Sequence, residues 1–565
     1  MSMFTNALPD ALLQLLSEKT KLLLLVTIVL LICSCNTIKT ADINHVILLG
    51  QSLAAGQQSL PIVTDSLTNG NNLKFQIATH TWANSFAKNP EKRHHDFFKF
   101  SPLIANHNIG ETIANGLCDH FSMKSKIEGR LLFSYSGEGG RYLRELDKQH
   151  DDAQDIRAKE RRSNGGYYSL SIDDIKRAKK TADSLALSYK VLAINWMQGE
   201  AEGDRKINRW DAAYPRNEFL EIYKNDLIQL KNDYNSDLSK IFKENLNIPF
   251  FTYQTGGTVS GTAQLMACDE EKKMYMVAPT YMMPNAENTY YDYSGKNINE
   301  HGDGIHLTAD SERWLGEQFG KVIKRVIFDK EKWEPLRPLK ATIKRNKNEV
   351  FISFKVPRPP LLLDTMFLPK QDMGYGFKIY DENKVTIKIK EVSVVNSTTI
   401  KIVTNDPIKK QYSVSYGTIS FVKNITKPIF NLTEGITNDH GHKEVLIEFK
   451  GNILHEVKVL LDEGMFYLAN KETDENLTTI IIRNGYLNEF GNTILVGEKD
   501  DLRNGVKFKK GQYCLTSRRY AYGNLHDSDQ EKSIFVFSDS SYGNRYNQPY
   551  PLYNWCVSFK DLLIE

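Results

Sequence analysis

The chain has 565 residues, too many for one hydrophobic core, so two or three domains are expected. With 41% hydrophobic and 25% charged residues, the composition is that of a folded globular protein and excludes a largely disordered one. Lys and Arg outnumber Asp and Glu by only 72 to 69, so no broad polyanion-binding surface is implied, and nothing resembles a nucleic-acid module.

The first 36 residues stand apart. Lys19 and Lys21 precede residues 22–32, an uncharged run too short to span a bilayer and suited to the apolar part of a signal peptide. The run ends Ile32-Cys33-Ser34-Cys35-Asn36. A small residue before cysteine, directly after an apolar run, resembles the bacterial lipobox; Cys35 is then the expected lipidation site and 1–36 the leader. The other cysteines, Cys118, Cys268, Cys514 and Cys556, lack metal-ligand spacing. Cys514 and Cys556 could pair in an oxidising compartment, whereas Cys118 and Cys268 read as small buried apolar residues.

Residues 46–49, Val-Ile-Leu-Leu, are apolar without alternation, as in a parallel strand covered on both faces, and the run stops at Gly50. Open α/β sheets bind ligands at the carboxyl ends of such strands, so Ser52 on the following turn sits where a nucleophile would. Residues 57–100 are polar and irregular, and Arg93-His94-His95-Asp96 within them reads as a solvated loop rather than a metal site. Ile109, Ile113, Leu117 and Phe121 recur at spacing four, which predicts a helix with one buried face. A strand over 131–135 runs into Gly137-Glu138-Gly139-Gly140-Arg141, whose glycine N–H groups can donate to an oxyanion.

The charged run 157–162 reads as a solvated face, with a substrate-rim loop as the alternative. Ser171 with Asp174 has the form of a capping box opening a helix through Leu187. The strand 191–196 leads to Gln198-Gly199-Glu200, an amide side chain at a strand end that can also donate to an oxyanion. Leu220, Tyr223, Leu227, Leu230 and Tyr234 predict a helix over 218–242, followed by a strand at 248–254, a helix near Ala263 and a strand at 274–278. Asp303-Gly304-Ile305-His306 then enters a helix capped by Thr308, with Leu315, Phe319, Val322 and Val326 as its buried stripe. An Asp three residues before a His can accept its Nδ1 proton and leave Nε2 facing a serine hydroxyl.

Gly50-Gln51-Ser52, the pair Gly139-Gly140, Gln198-Gly199-Glu200 and Asp303-x-x-His306 together resemble the four ordered blocks of the SGNH (GDSL-like) hydrolases. The Gly-Gln-Ser and Gln-Gly-Glu forms are similar to the carbohydrate O-acetylesterase branch, which includes sialate O-acetylesterases and acetylxylan esterases. The likeness covers residues 42–330 and departs from the family at Leu53 and Arg141. It implies a three-layer α/β/α domain around a five-stranded, flavodoxin-like parallel sheet.

The resemblance also implies hydrolysis of an acetyl ester. Ser52 is the expected nucleophile, His306 its base and Asp303 the residue fixing the imidazole. The oxyanion hole is expected from the N–H of Ser52, that of Gly139 or Gly140, and the Gln198 amide, with Gln51 and Glu200 in support. No metal or organic cofactor is needed, since nucleophile, base and electrostatic trap are all protein groups. The expected partner is an O-acetylated glycan met at the bacterial cell envelope, with the membrane reached only through a lipid anchor; oligomeric state is not legible. An idle glycan-binding protein would have no chemical reason to keep Ser52, Asp303 and His306 together. A lipid esterase would want a broad apolar cleft where this rim is rich in Arg and Lys.

Beyond Pro335 the pattern changes. Residues 342–344, 350–354, 385–389 and 399–403 alternate apolar with polar, predicting an antiparallel β-sandwich over 337–424. Residues 425–565 read as a second β-rich module or a continuation of the first. The aromatic residues Tyr520, Tyr522, Tyr553 and Trp555 read as sandwich core, with sugar binding as the alternative.

Overall fold

The computed structural model describes residues 40–66, 71–76, 99–105, 110–151, 166–202, 218–285, 305–418 and 521–565 apart from short gaps, and strand backbones within 290–299 and 419–521. The expected leader with Cys35, residues 93–96 and 157–162, Asp303, and the side chains of Cys514 and Tyr520 lie outside the described residues.

The first domain is built on a seven-stranded sheet of β1 (Ile43–Gly50), β2 (Leu73–Phe75), β3 (Phe100–Pro102), β4 (Arg130–Gly137), β5 (Tyr189–Met197), β6 (Phe250–Gln254) and β7 (Met274–Pro279). Their order is β3-β2-β4-β1-β5-β6-β7, all neighbours parallel except the antiparallel edge pair β2/β3. The five strands expected from the apolar runs form the parallel body. The stretch read as irregular supplies β2 and β3, correcting five strands to seven; three residues each are too few for a periodic pattern to register.

Among the described residues five helices complete the layers: α1 (Ile113–Ser125), α2 (Tyr167–Ser184), α3 (Phe219–Phe242), α4 (Val259–Glu270) and α5 (Ala309–Ile323). Val46 and Leu48 of β1 pack with Ile113, Leu117 and Leu315, while Ile47 and Leu49 pack with Tyr168, Tyr223 and Ala263. Alternate residues of one strand thus face opposite helical layers, which is why β1 is apolar throughout. The helix expected at Ser171 begins earlier, at Tyr167. Its first N–H groups, on Tyr168 and Ser169, are taken by the Asp151 carboxylate at 3.0 Å each, and Ser171 Oγ donates instead to Tyr168 O.

His45 is buried in β1 between the Tyr189 hydroxyl (2.6 Å) and Ser134 Oγ (2.7 Å), and burial pushes its imidazole from 6.5 down to about 3. The unfolded chain takes up a proton below pH 6.5 that the folded chain refuses, so this contribution to stability is lost as pH falls from 6.5 toward 3. His45→Gln, which does not titrate there, is expected to flatten that decline by up to about 1.4 kcal/mol per pH unit. Urea unfolding at two acidic pH values checks it, and an unchanged slope would count against a neutral imidazole.

The antiparallel sandwich expected beyond residue 337 is present. One sheet joins Arg337–Ile343, Glu349–Lys355, Thr399–Thr404 and Ile389–Asn396. The other joins Thr386–Ile387, Phe377–Tyr380, Ser413–Tyr416 and Phe559–Leu563. Val350, Ile352, Ile400 and Ile402 of the first meet Phe377, Ile379, Val414 and Tyr416 of the second in one core. Pairing of Ser413–Tyr416 with Phe559–Leu563 makes the sandwich discontinuous in sequence. The chain leaves it near residue 417, builds a separate eight-stranded antiparallel sheet from strands between Phe430 and Thr516, and returns near Leu525.

The returning segment lies along α5. Trp314 Nε1 donates to Pro551 O at 3.1 Å, Lys321 Nζ to Asn554 Oδ1 at 2.8 Å, and Arg325 pairs with Asp529 at 2.7 Å. Trp555 is buried in the core that includes α5, and the Tyr553 ring stacks on His526 at 4.1 Å. Cys556 is a free, buried thiol; Cys118 is free and buried, Cys268 free and half-buried.

Candidate active site

The Ser52 turn is shaped by Gly50. Its φ is +155°, and a Cβ there would be driven into the Met197 carbonyl of β5, which accepts from Gln51 N–H at 3.0 Å. The Ser52 carbonyl accepts from Ala55 and Gln57 N–H at 3.2 and 3.0 Å, closing the turn, and Tyr135 Oη donates to Gln51 O at 2.9 Å. Gln51 Oε1 crosses to the end of β5, accepting from Ala201 N–H at 3.2 Å. Gly50→Ala is therefore expected to cost roughly 3 kcal/mol or more, from a strained φ and a backbone collision together. Urea unfolding checks it, and wild-type stability would contradict the close approach.

The glycines after β4 lie against that turn: a Cβ on Gly139 would stand 3.5 Å from Ser52 Cβ. Gly139 N–H is engaged by Glu138 Oε1 at 3.2 Å, whereas the N–H groups of Ser52 and Gly140 make no hydrogen bond among the described residues. Those two donors face no competitor for a developing oxyanion.

Gln198 requires a correction. It is fully buried, its Nε2 donates to Arg141 O at 3.0 Å and to Glu202, and its Oε1 accepts from Tyr223 Oη at 2.9 Å. Both amide hydrogens are consumed inside the wall, so Gln198 braces the glycine turn instead of presenting a donor to substrate. Glu202 was missed by the sequence reading, although an acid four residues after Gln198 is visible in it. Burial pushes its carboxyl up to about 8, helped by Glu145 and Glu200 and opposed by hydrogen bonds from Gln198 and Leu143 N–H. Glu200 accepts from Tyr253 Oη. Burial raises its carboxyl above the usual range, against the pull of the Tyr253 hydroxyl and the nearby His306.

His306 is 8% exposed and Ser52 6%, so the pair is largely withdrawn from bulk water. The expected cap on α5 is present, with Thr308 Oγ1 accepting from Ser311 N–H at 3.2 Å. The loop before it is fastened to the stretch that follows the Ser52 turn: Ser59 Oγ donates to Leu307 O at 2.8 Å. The structure thus brings the Ser52 turn, Gly139-Gly140 and the His306 loop together at the carboxyl edge of the sheet. The Ser52 hydroxyl itself makes no hydrogen bond among the described residues; such bonds often form only with substrate bound. Among the described residues no cluster of three His, Cys, Asp or Glu could hold a metal ion.

No protein-family model matches the chain, and no curated protein matches it. Among solved structures it is similar to a carbohydrate acetylesterase from Xanthomonas citri, at 12% identity over 66% of this chain and 75% of that one, with a TM-score of 0.43. It is also similar to NanS, at 14% identity over 51% of this chain and 99% of that one, with a TM-score of 0.33. A protein from Arabidopsis thaliana gives 14% identity over 51% of this chain and 100% of that one, with a TM-score of 0.32.

Proposed function

We propose that this protein is a serine esterase that removes O-acetyl groups from carbohydrates through an acyl-enzyme. The observation that carries the reading is the junction of the Ser52 turn with the His306 loop, held by the 2.8 Å bond from Ser59 to Leu307 beside two unspent N–H donors. His306 takes the proton from Ser52 Oγ as the oxygen attacks the acetyl carbonyl, and Asp303 holds the imidazole from Nδ1. The N–H groups of Ser52 and Gly140 receive the oxyanion, each such donor being worth on the order of 100-fold in rate. Collapse of the intermediate expels the sugar oxygen, which recovers the proton from His306. Water activated by the same imidazole then cleaves the acyl-enzyme and frees acetate.

The choice of sugar over lipid rests on the Gly-Gln-Ser and Gln-Gly-Glu blocks. The same reading puts the enzyme at the bacterial cell envelope, anchored through lipidated Cys35. Its test is acetate release by the purified protein from an aryl acetate and from a panel of acetylated glycans, compared with long-chain acyl esters. Cleavage confined to acetates is expected. Preference for long chains would replace the reading with lipid hydrolysis, and inertness toward every ester would overturn it.

A further inference from the structure

Helices α1 and α5 pack backbone to backbone through glycine. A Cβ on Gly116 would meet the Arg313 carbonyl and Glu317 N, and one on Gly320 would meet the Leu117 carbonyl and His120. Residue numbers rise together along the contact, so the helices run parallel and their N-termini open at the same edge of the sheet. That edge holds the candidate site: Glu111, just before α1, donates its N–H to Ser59 O at 2.9 Å, in the turn that follows Ser52.

Two carboxyls stand at these helix starts in opposite circumstances. Glu111 accepts from Val63 N–H, Thr64 N–H and Asn115 Nδ2 at 3.0, 2.9 and 3.3 Å. Glu312, in the first turn of α5, is 0% exposed and neither of its oxygens has a hydrogen-bond partner among the described residues. An ionised carboxylate so placed would be a bare charge beside two other acids, Glu111 and Glu200. Burial, reinforced by those acids, lifts the Glu312 carboxyl well above the usual range, so it holds a proton and has one O–H to give. Glu111 already has its donors. Glu200 has one oxygen on Tyr253 Oη and a second, Oε2, buried without a partner.

We propose that Glu312 is a neutral acid that donates to Glu200 through one internal water, and so fixes the Glu200 carboxylate beside His306 as a positioning residue. The reading of its consequence rests on the esterase mechanism proposed above. With Tyr253 and Glu312 holding its two oxygens, Glu200 presents a fixed negative charge to the imidazolium that forms when Ser52 is deprotonated, in addition to Asp303. The groups facing this pair are Glu111 before α1, Glu202 after β5, Tyr253 on β6 and His306 before α5, with Arg313 of α5 acting on Glu111.

The test uses the full chain with three variants. Glu312→Gln keeps a donor and the shape; it is expected to lose one protonated-carboxyl infrared band at neutral pH, distinct from the Glu202 band that remains, while keeping near wild-type kcat. Glu312→Leu removes the donor. It is expected to fold at least as stably and to lower kcat roughly tenfold through a loosened Glu200. Glu200→Gln should lower kcat to a similar extent. An unchanged infrared band in Glu312→Gln, or a wild-type kcat in Glu312→Leu, would overturn the proposal. The infrared band needs no turnover, so an inactive wild-type protein would defeat the esterase reading while leaving the acid pair separately tested.

Discussion

Ser52→Ala is expected to lower kcat for an aryl acetate by roughly 1000-fold or more, while the protein stays folded. The size follows from the chemistry: without the hydroxyl no acyl-enzyme forms, and what remains is the electrostatic trap of the Ser52 and Gly140 N–H groups acting on adventitious water. The selectivity follows from the structure. Ser52 Oγ makes no hydrogen bond among the described residues, and the turn is closed by the Ser52 carbonyl and by Gln51, which the substitution leaves in place. Stability is therefore expected within about 0.5 kcal/mol of wild type, in contrast to Gly50→Ala, which strikes the same turn through its backbone. Parallel measurement of rate and urea unfolding separates the two effects, and equal rates for wild type and Ser52→Ala would retire the nucleophile.

The parts of this design that could be read from sequence are those written in short-range pattern. The apolar run before Gly50 announced a central parallel strand, and Thr308 announced the start of α5, because strand burial and helix capping are settled within a few residues. Gln198 shows the limit. An amide at a strand end is as well placed to donate outward as inward, and what turns it inward is Tyr223, which arrives from α3, with Arg141 after β4. The split sandwich was invisible for a related reason: Ser413–Tyr416 finds its partner strand at Phe559–Leu563, with a whole sheet intervening, and pairing at that distance leaves no local trace.

Helix α5 carries the same lesson in charge. Asp310, Arg313, Glu317 and Lys321 of the helix, and Arg325 in the turn that continues it, recur three or four residues apart, a pattern that ordinarily marks a solvated face. All five are buried, because the segment returning from the sandwich covers them and supplies their partners. An amphipathic pattern tells which side of a helix avoids an apolar core. It does not tell whether water or another polar surface receives that side.

Arg313→Ala should therefore be among the most damaging single changes in the chain. Its guanidinium, on a residue 6% exposed, donates to Tyr550 Oη at 2.9 Å, Val63 O at 3.0 Å, Asp310 at 3.2 Å and Val536 O at 3.0 Å. One side chain thus joins the stretch after the Ser52 turn, the helix behind His306 and the returning C-terminal segment. Truncation leaves the buried Asp310 carboxylate with only the neutral donors Ser538 and Tyr550, and removes the cation that offsets Glu111. Removing one partner of a buried ion pair typically costs on the order of 3–5 kcal/mol. Arg313→Lys should rescue little of this, since an ammonium cannot reproduce the planar fork that reaches four acceptors. Because α5 and the Val63 stretch flank the site, esterase activity should fall with stability, whereas Tyr550→Phe, which removes a single hydroxyl from the cluster, should cost only about 1–3 kcal/mol. Urea unfolding of the three variants orders them, and Arg313→Ala within about 1 kcal/mol of wild type would mean that the C-terminal segment is a passenger on the α/β domain instead of part of its frame.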